Sequence, residues 1–193
     1  MNDPDPDPEA NPWQTLSSRE IYANAWIRVR EDAVLRPDGQ EGIYGVVECR
    51  AATGVVAIDA EGNAVLVGQY RYPTERYSWE TIQGGAEPGE DPLSAIKREL
   101  REEGGLAAGR WELLGAPIQL SNCVSDELGY LYLARDLEVI GEPEPEGTEV
   151  LVLKRIPFAE AVRQALSGEI SDAMSVIGLC RAAAHPDLRV YSP

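Results

Sequence analysis

GGAEPGEDPLSAIKRELREEGGL, running from Gly84 to Leu106, holds a glycine-rich loop, a helix and a cluster of acids in one piece of chain. Asp91 is a good N-cap and Pro92 suits the first helical position. Leu93, Ile96 and Leu100 recur at helical spacing, and Gly104-Gly105 supplies a stop. Glu99, Glu102 and Glu103 stand at i, i+3 and i+4, so their carboxylates leave one face of that helix. The adjoining face, Leu93, Ile96 and Leu100, must dock on the core, which puts the acids at the core's rim; Lys97 and Arg101 take the outer side. Gathering like charges costs a few tenths of a kcal/mol per pair in a helix. Oxygen ligands at close quarters are, however, what a hard divalent cation requires. A solvated Glu-rich face is the ordinary meaning of such a run, so the wider spacing has to decide.

Outward from this helix the pattern is mostly strand. Toward the N-terminus, Tyr77 to Ile82 predicts a short strand leading into Gly84-Gly85. Gly54 to Ile58 and Ala64 to Tyr70 are apolar runs joined by Glu61-Gly62-Asn63, which predicts a buried hairpin. From Trp13 to Arg50, Trp26-Ile27-Arg28-Val29-Arg30 alternates, Pro37-Asp38-Gly39 reads as a turn, and Ile43 to Val47 resumes an extended run. Toward the C-terminus, strands are expected over Trp111 to Leu120, Tyr130 to Ala134 and Val150 to Ile156. Helices are expected from about Pro157, with Phe158, Ala161, Val162, Ala165 and Leu166 on one face, and from about Asp172 to Ala184. The expected class is α+β.

The spacing around the acids fits G-x5-E-x7-R-E-U-x-E-E-x-G-U, with U an aliphatic residue, at Gly84, Glu90, Arg98, Glu99, Leu100, Glu102, Glu103, Gly105 and Leu106. Its seven fixed residues would occur by chance on the order of once in 10⁹ windows. This is the Nudix box, and the chain resembles Nudix hydrolases. The resemblance implies an α/β/α sandwich with a mixed sheet plus an N-terminal antiparallel β extension. The domains would be a disordered acidic tail over 1–12, a dimerising β extension over 13–50 and a Nudix hydrolase domain over 51–193. It further implies Mg²⁺, with Mn²⁺ as an alternative, held by Glu99, Glu102, Glu103 and the backbone carbonyl of Gln83. Arg98 would hold the loop acid Glu90 or orient a catalytic glutamate.

Gln69-Tyr70-Arg71-Tyr72-Pro73, Trp79-Glu80 and Gly168-Glu-Ile-Ser-Asp172-Ala173 are similar to the ADP-ribose and nucleoside-diphosphate-sugar pyrophosphatase branch. By that resemblance Arg71 contacts a phosphate or the terminal ribose, Glu80 hydrogen-bonds the nucleoside, Gly84 and Gly85 line the substrate site, and Trp26 stacks on the base. As ordinary structure, Trp26 would be a core or interface aromatic and Arg71 a surface ion-pair partner. The acidic segment Gly141 to Glu149 has the prolines and glycines of a mobile lid. The resemblance makes Glu149 a metal ligand and sets the general base near Glu146, with Glu127 competing and box glutamate Glu102 as the fallback. Where many ADP-ribose hydrolases carry Ser-Pro-Gly, this chain has Leu120 to Glu127 without the proline, which widens the expected substrates to nucleoside diphosphate sugars generally.

Composition narrows the alternatives. The 193 residues carry a formal net charge of −16, which repels nucleic-acid backbones and anionic membranes; no partner of either kind is expected. A nucleoside triphosphate or capped-RNA substrate, or a non-catalytic Nudix-fold sensor, would be the alternatives; a sensor should have lost some of the metal-binding glutamates. Three widely spaced cysteines without CxxC, and an N-terminus without the marks of a signal peptide, predict a reducing cytoplasm. One histidine, His185, leaves little for a His-rich metal site or a Ser-His-Asp mechanism. A homodimer is expected, because a sheet as thin as 13–50 is marginal alone.

Overall fold

The structure is a computed structural model that describes residues 9–144 and 150–188. The chain divides into two compact units. One contains the N-terminal chain through Cys49 together with Ser121–Asp126; the other contains Arg50–Leu120 and the chain from Glu127 onward.

In the first unit β1 (Gln14–Ala23), β2 (Ile27–Leu35) and β3 (Glu41–Cys49) form an antiparallel sheet in chain order. Asn24 turns the chain between β1 and β2, its side-chain oxygen accepting from the N–H groups of Trp26 at 2.8 Å and Ile27 at 2.9 Å. Trp26 therefore lies in the turn rather than in an alternating strand. It is 71% exposed, which corrects the core half of the expectation of a core or interface aromatic and leaves the interface half untested. Between β2 and β3, Gly39 takes a φ of 79°, which a residue with a Cβ rarely adopts. Ser121–Asp126 docks against β3: Val47 N–H donates to Val124 O at 2.8 Å, Tyr44 Oη to Cys123 O at 2.9 Å, and Cys49 N–H to Asp126 Oδ1 at 2.9 Å.

The second unit contains β4 (Ala52–Ala57), β5 (Asn63–Arg71), β6 (Arg76–Glu80), β7 (Ile82–Gly85), α1 (Pro92–Gly104), β8 (Leu106–Leu113), β9 (Ile118–Gln119), β10 (Leu128–Val139), β11 (Val152–Pro157), α2 (Phe158–Ser167) and α3 (Ala173–Ala183). A five-stranded sheet runs β7-β4-β10-β8, with β9 also on β10; β4 and β10 are parallel and the other pairs antiparallel. An antiparallel sheet runs β11-β5-β6.

Period-2 alternation splits the apolar side chains between two cores. Val55, Ala57, Val65, Val67, Tyr132 and Ala134 face Ile96 and Leu100 of α1. Val56, Ile58, Leu66, Leu131 and Leu133 face Phe158, Ala161 and Val162 of α2 and Met174, Leu179 and Ala182 of α3. Strands covered by helices on both sides make the expected α/β/α arrangement.

Three expectations about strands are corrected. β4 and β5 are not a hairpin: beyond an Ile58–Ala64 bridge they separate, β4 to the mixed sheet and β5 to the antiparallel one. The turn is present, with Asp59 Oδ1 accepting from the N–H groups of Glu61 and Asn63, but a turn sets direction and not partnership. Tyr77 to Ile82 is two strands, β6 and β7, interrupted at Thr81 where the chain changes sheets. The run from Trp111 to Leu120 is likewise the end of β8 plus the separate β9.

Candidate active site

Helix α1 is stopped at both ends as its residues predict. The Asp91 carboxylate accepts from Ser94 N–H at 3.1 Å, and Gly105, at a φ of 62°, closes the C-terminus with its N–H on Arg101 O. This fixes which residues share a face. Ile96 and Leu100 are fully buried, Glu103 is only 3% exposed, and Glu99 and Glu102 lie at the rim with Arg98 between them.

Arg98 gathers the acids. Its Nη1 donates to Glu99 Oε1 at 2.7 Å and Glu102 Oε2 at 3.1 Å, and its Nη2 donates to Glu90 Oε2 and to Gly85 O, each at 3.2 Å. One side chain thus holds the loop acid Glu90 and contacts two glutamates of the helix. The guanidinium's pKa is raised, first by its hydrogen bond to Glu90 and then by the neighbouring glutamates. Glu90 is held below the usual carboxylate range by Arg98, helped by the N–H of Glu87.

The loop before the helix is shaped to the same acids. A Cβ on Gly84 would lie 2.1 Å from Glu99 Cδ and 2.2 Å from its Oε1, so the carboxylate rests where only glycine leaves room. Thr53 Oγ1 donates to Gly84 O at 3.0 Å. Among the described residues no three His, Cys, Asp or Glu side chains already converge as a ligand cage; Arg98 supplies the cationic partner instead. The donor set still suits a hard cation. Its donors are carboxylate oxygens, one carboxylate is nearly buried, and Glu99 sits in a cradle that a single methyl group would fill.

Arg71 and Glu80 meet across β5 and β6. Arg71 Nε donates to Glu80 Oε1 at 3.0 Å, and Nη2 makes a shorter contact to Oε2. Glu80 is 2% exposed while the Arg71 side chain is 42% exposed. The pKa of Arg71 is raised, mainly by this bond and further by Asp172 and Glu103.

A model of the NUDIX domain matches residues 49–175, and a model of the nucleoside diphosphate sugar hydrolase N-terminal domain matches residues 13–47. The chain belongs to the Nudix family. This Nudix chain is 36% identical over 169 residues to the ADP-ribose pyrophosphatase of Mycobacterium tuberculosis, covering 86% of this chain and 81% of that protein. It is 28% identical over 167 residues to the ADP-ribose pyrophosphatase of Bacillus subtilis, covering 86% and 90%. A crystal structure described as an ADP compounds hydrolase shares the fold, with a TM-score of 0.77 at 21% identity over 89% of this chain and 92% of that one.

Of the residues singled out from the sequence, the Nudix fold brings Arg98, Glu99 and Glu102 into one network beside Gly84, Gly85 and Glu90, and pairs Arg71 with Glu80. Glu103 lies on the same helix at the core's edge. Gln83 enters through its side chain, with Nε2 donating to Asp172 Oδ2 at 2.6 Å and to Ser175 Oγ at 2.9 Å. That contact with α3 was not predicted; the only local signal was that Asp172 suits an N-cap. Glu127 is half-buried between β9 and β10, its carbonyl accepting from Leu120 N–H at 3.3 Å. Trp26 is exposed in the β1–β2 turn. Glu146 and Glu149 lie outside the described residues. The chain leading toward them is anchored, since Glu144 N–H donates to Glu102 O at 2.7 Å and Ile140 N–H to Gly105 O at 2.9 Å. A cavity of about 450 Å³ opens there between Arg101, Glu102 and Gly105 on one side and Ile140, Glu142 and Glu144 on the other.

Proposed function

We propose that this Nudix hydrolase cleaves the diphosphate of ADP-ribose or a related nucleoside diphosphate sugar, releasing a nucleoside monophosphate and a sugar phosphate. The observation that carries the substrate class is the match of residues 13–47 to the nucleoside diphosphate sugar hydrolase N-terminal domain, joined to a complete carboxylate helix. Relatives named ADP-ribose pyrophosphatase support ADP-ribose as the first substrate to try.

Glu99, Glu102 and Glu103 would hold the divalent cation, with the Gln83 carbonyl and Glu149 completing the set; we take Mg²⁺ as the physiological ion and Mn²⁺ as a substitute. When bound, such an ion neutralises phosphoryl charge and makes water a better nucleophile. The remaining work belongs to side chains. Arg71, braced by buried Glu80, offers a fixed guanidinium to an anionic substrate on a strongly acidic protein. Arg98 sets the orientation of Glu99 and Glu102 and ties the loop at Glu90 to the helix. Glu80, 2% exposed with both oxygens on Arg71, acts on the substrate through that guanidinium rather than by the direct hydrogen bond to the nucleoside that the resemblance implied, while Gly84 and Gly85 line the substrate and Trp26 stacks on the base. Water adds to one phosphorus, the bridging P–O bond breaks, and a glutamate takes the water's proton. Glu102, Glu127 and Glu146 are the candidates for that base.

We further place the protein as a homodimer in the cytoplasm. All ten residues of β1 are exposed, as are Trp26 and Ile43, which leaves apolar surface for a second copy to cover. The three cysteines are widely spaced in the sequence without a CxxC, and among the described residues no helix is long and apolar enough to cross a membrane. The substrate assignment is tested by incubation with Mg²⁺ and ADP-ribose, GDP-mannose, UDP-glucose, deoxynucleoside triphosphates or capped RNA, with product identification. AMP and ribose 5-phosphate from ADP-ribose are expected. Turnover confined to triphosphates or capped RNA would contradict the assignment, and no turnover of any substrate would favour a sensor.

A further inference from the structure

Thr81 occupies the break between β6 and β7, where the chain passes from one sheet to the other. Thr81 is 2% exposed, and its N–H donates to Ser175 Oγ at 2.9 Å. A buried N–H at such a crossover needs an acceptor from outside the ladders, and here helix α3 supplies it. Ser175 is fully buried in the first turn of α3. Its N–H and its hydroxyl both donate to Oδ2 of the N-cap Asp172, each at 2.8 Å. The same Oδ2 accepts Gln83 Nε2 at 2.6 Å, and Gln83 Nε2 also reaches Ser175 Oγ at 2.9 Å.

An N-cap by itself needs only one carboxylate oxygen on one or two helix N–H groups. This cap extends further. The Ser175 hydroxyl accepts from the Thr81 N–H and the Gln83 side-chain amide and donates its own O–H to Asp172 Oδ2, so its hydrogen-bonding capacity is used in full. The residues it grips, Thr81 and Gln83, bracket Ile82, which is fully buried in the core beneath α1. On one side of them stands Glu80, the buried partner of Arg71; on the other stands Gly84, against which the Glu99 carboxylate rests. One polar network on α3, buried at Ser175 and Thr81 and half-buried at Asp172 and Gln83, thus grips the strand segment from which the site is built.

We infer that Ser175 and Asp172 are positioning residues for the cation site, acting through Thr81 and Gln83 to hold the Gln83 carbonyl and the Gly84 cradle in place. The inference rests on the metal assignment above, and its test separates the two. Mn²⁺ binding to the full-length protein is measured by electron paramagnetic resonance without substrate, together with the melting temperature. The panel is wild type, Ser175→Ala, Asp172→Asn, Gln83→Met and the Ser175→Ala/Gln83→Met double variant. Asp172→Asn replaces by a neutral amide the carboxylate whose single Oδ2 takes the helix N–H, the Ser175 hydroxyl and the Gln83 amide, which weakens all three bonds together. Val162→Ala, in the core of α2, serves as a variant that loses stability without touching the network.

Loss of a partner that orients a metal ligand costs about 10–100-fold in affinity. Ser175→Ala and Asp172→Asn are therefore expected to raise the Mn²⁺ dissociation constant at least about 10-fold. The double variant should be no weaker than the worse single one, because both changes break the same link. Val162→Ala should lower the melting temperature and leave Mn²⁺ affinity unchanged. Affinities within two-fold of wild type for both Ser175→Ala and Asp172→Asn would overturn the inference. Equal weakening in Val162→Ala would do the same, by reducing the effect to general destabilisation. A wild-type protein that binds no Mn²⁺ would overturn the metal assignment together with it.

Discussion

At the residue scale the site depends on how a few groups constrain one another. Gly84 has the clearest consequence. An alanine there is compatible with strand geometry, but its Cβ would occupy the space of Glu99 Cγ, Cδ and Oε1, all within 2.4 Å. The movable party is a side chain rather than backbone, so the fold should tolerate the change while the carboxylate loses its place. Gly84→Ala is expected to lower kcat/KM for ADP-ribose by about 10–100-fold with little change in melting temperature; wild-type activity would show that Glu99 need not rest there. The Glu90–Arg98 pair gives a pH dependence with a definite sign. Glu90 titrates below its ordinary value of 4.5 in the folded protein, because Arg98 and then the Glu87 N–H favour its charged form. A lowered folded-state pKa gives stability that is present above the unfolded value and lost as pH falls through the folded one. The stability gap between wild type and Glu90→Gln should be widest near neutral pH and close as pH drops from about 4.5 downward. Melting temperatures from pH 7 to pH 3 would check this, and a gap independent of pH would contradict it.

At the element scale, helix α1 holds both the carboxylates and the joint with the chain after β10. Gly105 ends the helix at a φ of 62°, and a Cβ there would come within 2.3 Å of the Gly141 carbonyl oxygen. Strain and collision with backbone act together, so Gly105→Ala should cost more than about 1 kcal/mol, read as a lower denaturation midpoint at unchanged slope. It should also displace the Gly141–Glu144 segment, whose backbone bonds to Glu102 and Gly105 depend on that approach. Helix α1 was fully legible in the sequence, because capping residues, apolar spacing and the glycine stop are local signals that agreed. The strand partners were not. The Asp59–Asn63 turn looked like a hairpin, yet β4 and β5 take partners from β7, β10, β6 and β11, a choice made by packing across the whole unit. The same limit applied to the site. Arg98 with Glu90 lay within one readable segment, whereas the link from Gln83 to Asp172 and Ser175 spans some ninety residues and leaves no local pattern. Trp26 was misplaced because the alternation belongs to β2, which starts one residue later at Ile27, whereas Trp26 is held in the turn by Asn24.

At the scale of the whole molecule, a net charge of −16 and a polyanionic substrate are compatible only if cations gather at the site. Arg71 and Arg98 supply two, and a divalent ion would supply the rest. The exposed apolar side chains of the N-terminal sheet, among them Leu16, Ile21, Tyr22 and Ile43, predict a sedimentation mass of twice 21.1 kDa at micromolar concentration. A fully active monomer would count against that assembly. If the glutamates of α1 make this fold a cation-dependent diphosphate hydrolase, Glu103 is the residue at which the dependence shows first. Replacing its nearly buried carboxylate by an isosteric amide removes a hard ligand and relieves like-charge repulsion with Glu99 and Glu102. Turnover of ADP-ribose at saturating Mg²⁺ is therefore measured for wild type and Glu103→Gln, alongside their melting temperatures. AMP and ribose 5-phosphate are expected from the wild type, with a loss of at least about 10²-fold in kcat for the variant and a melting temperature no lower than wild type. Near-normal turnover in Glu103→Gln would contradict that dependence.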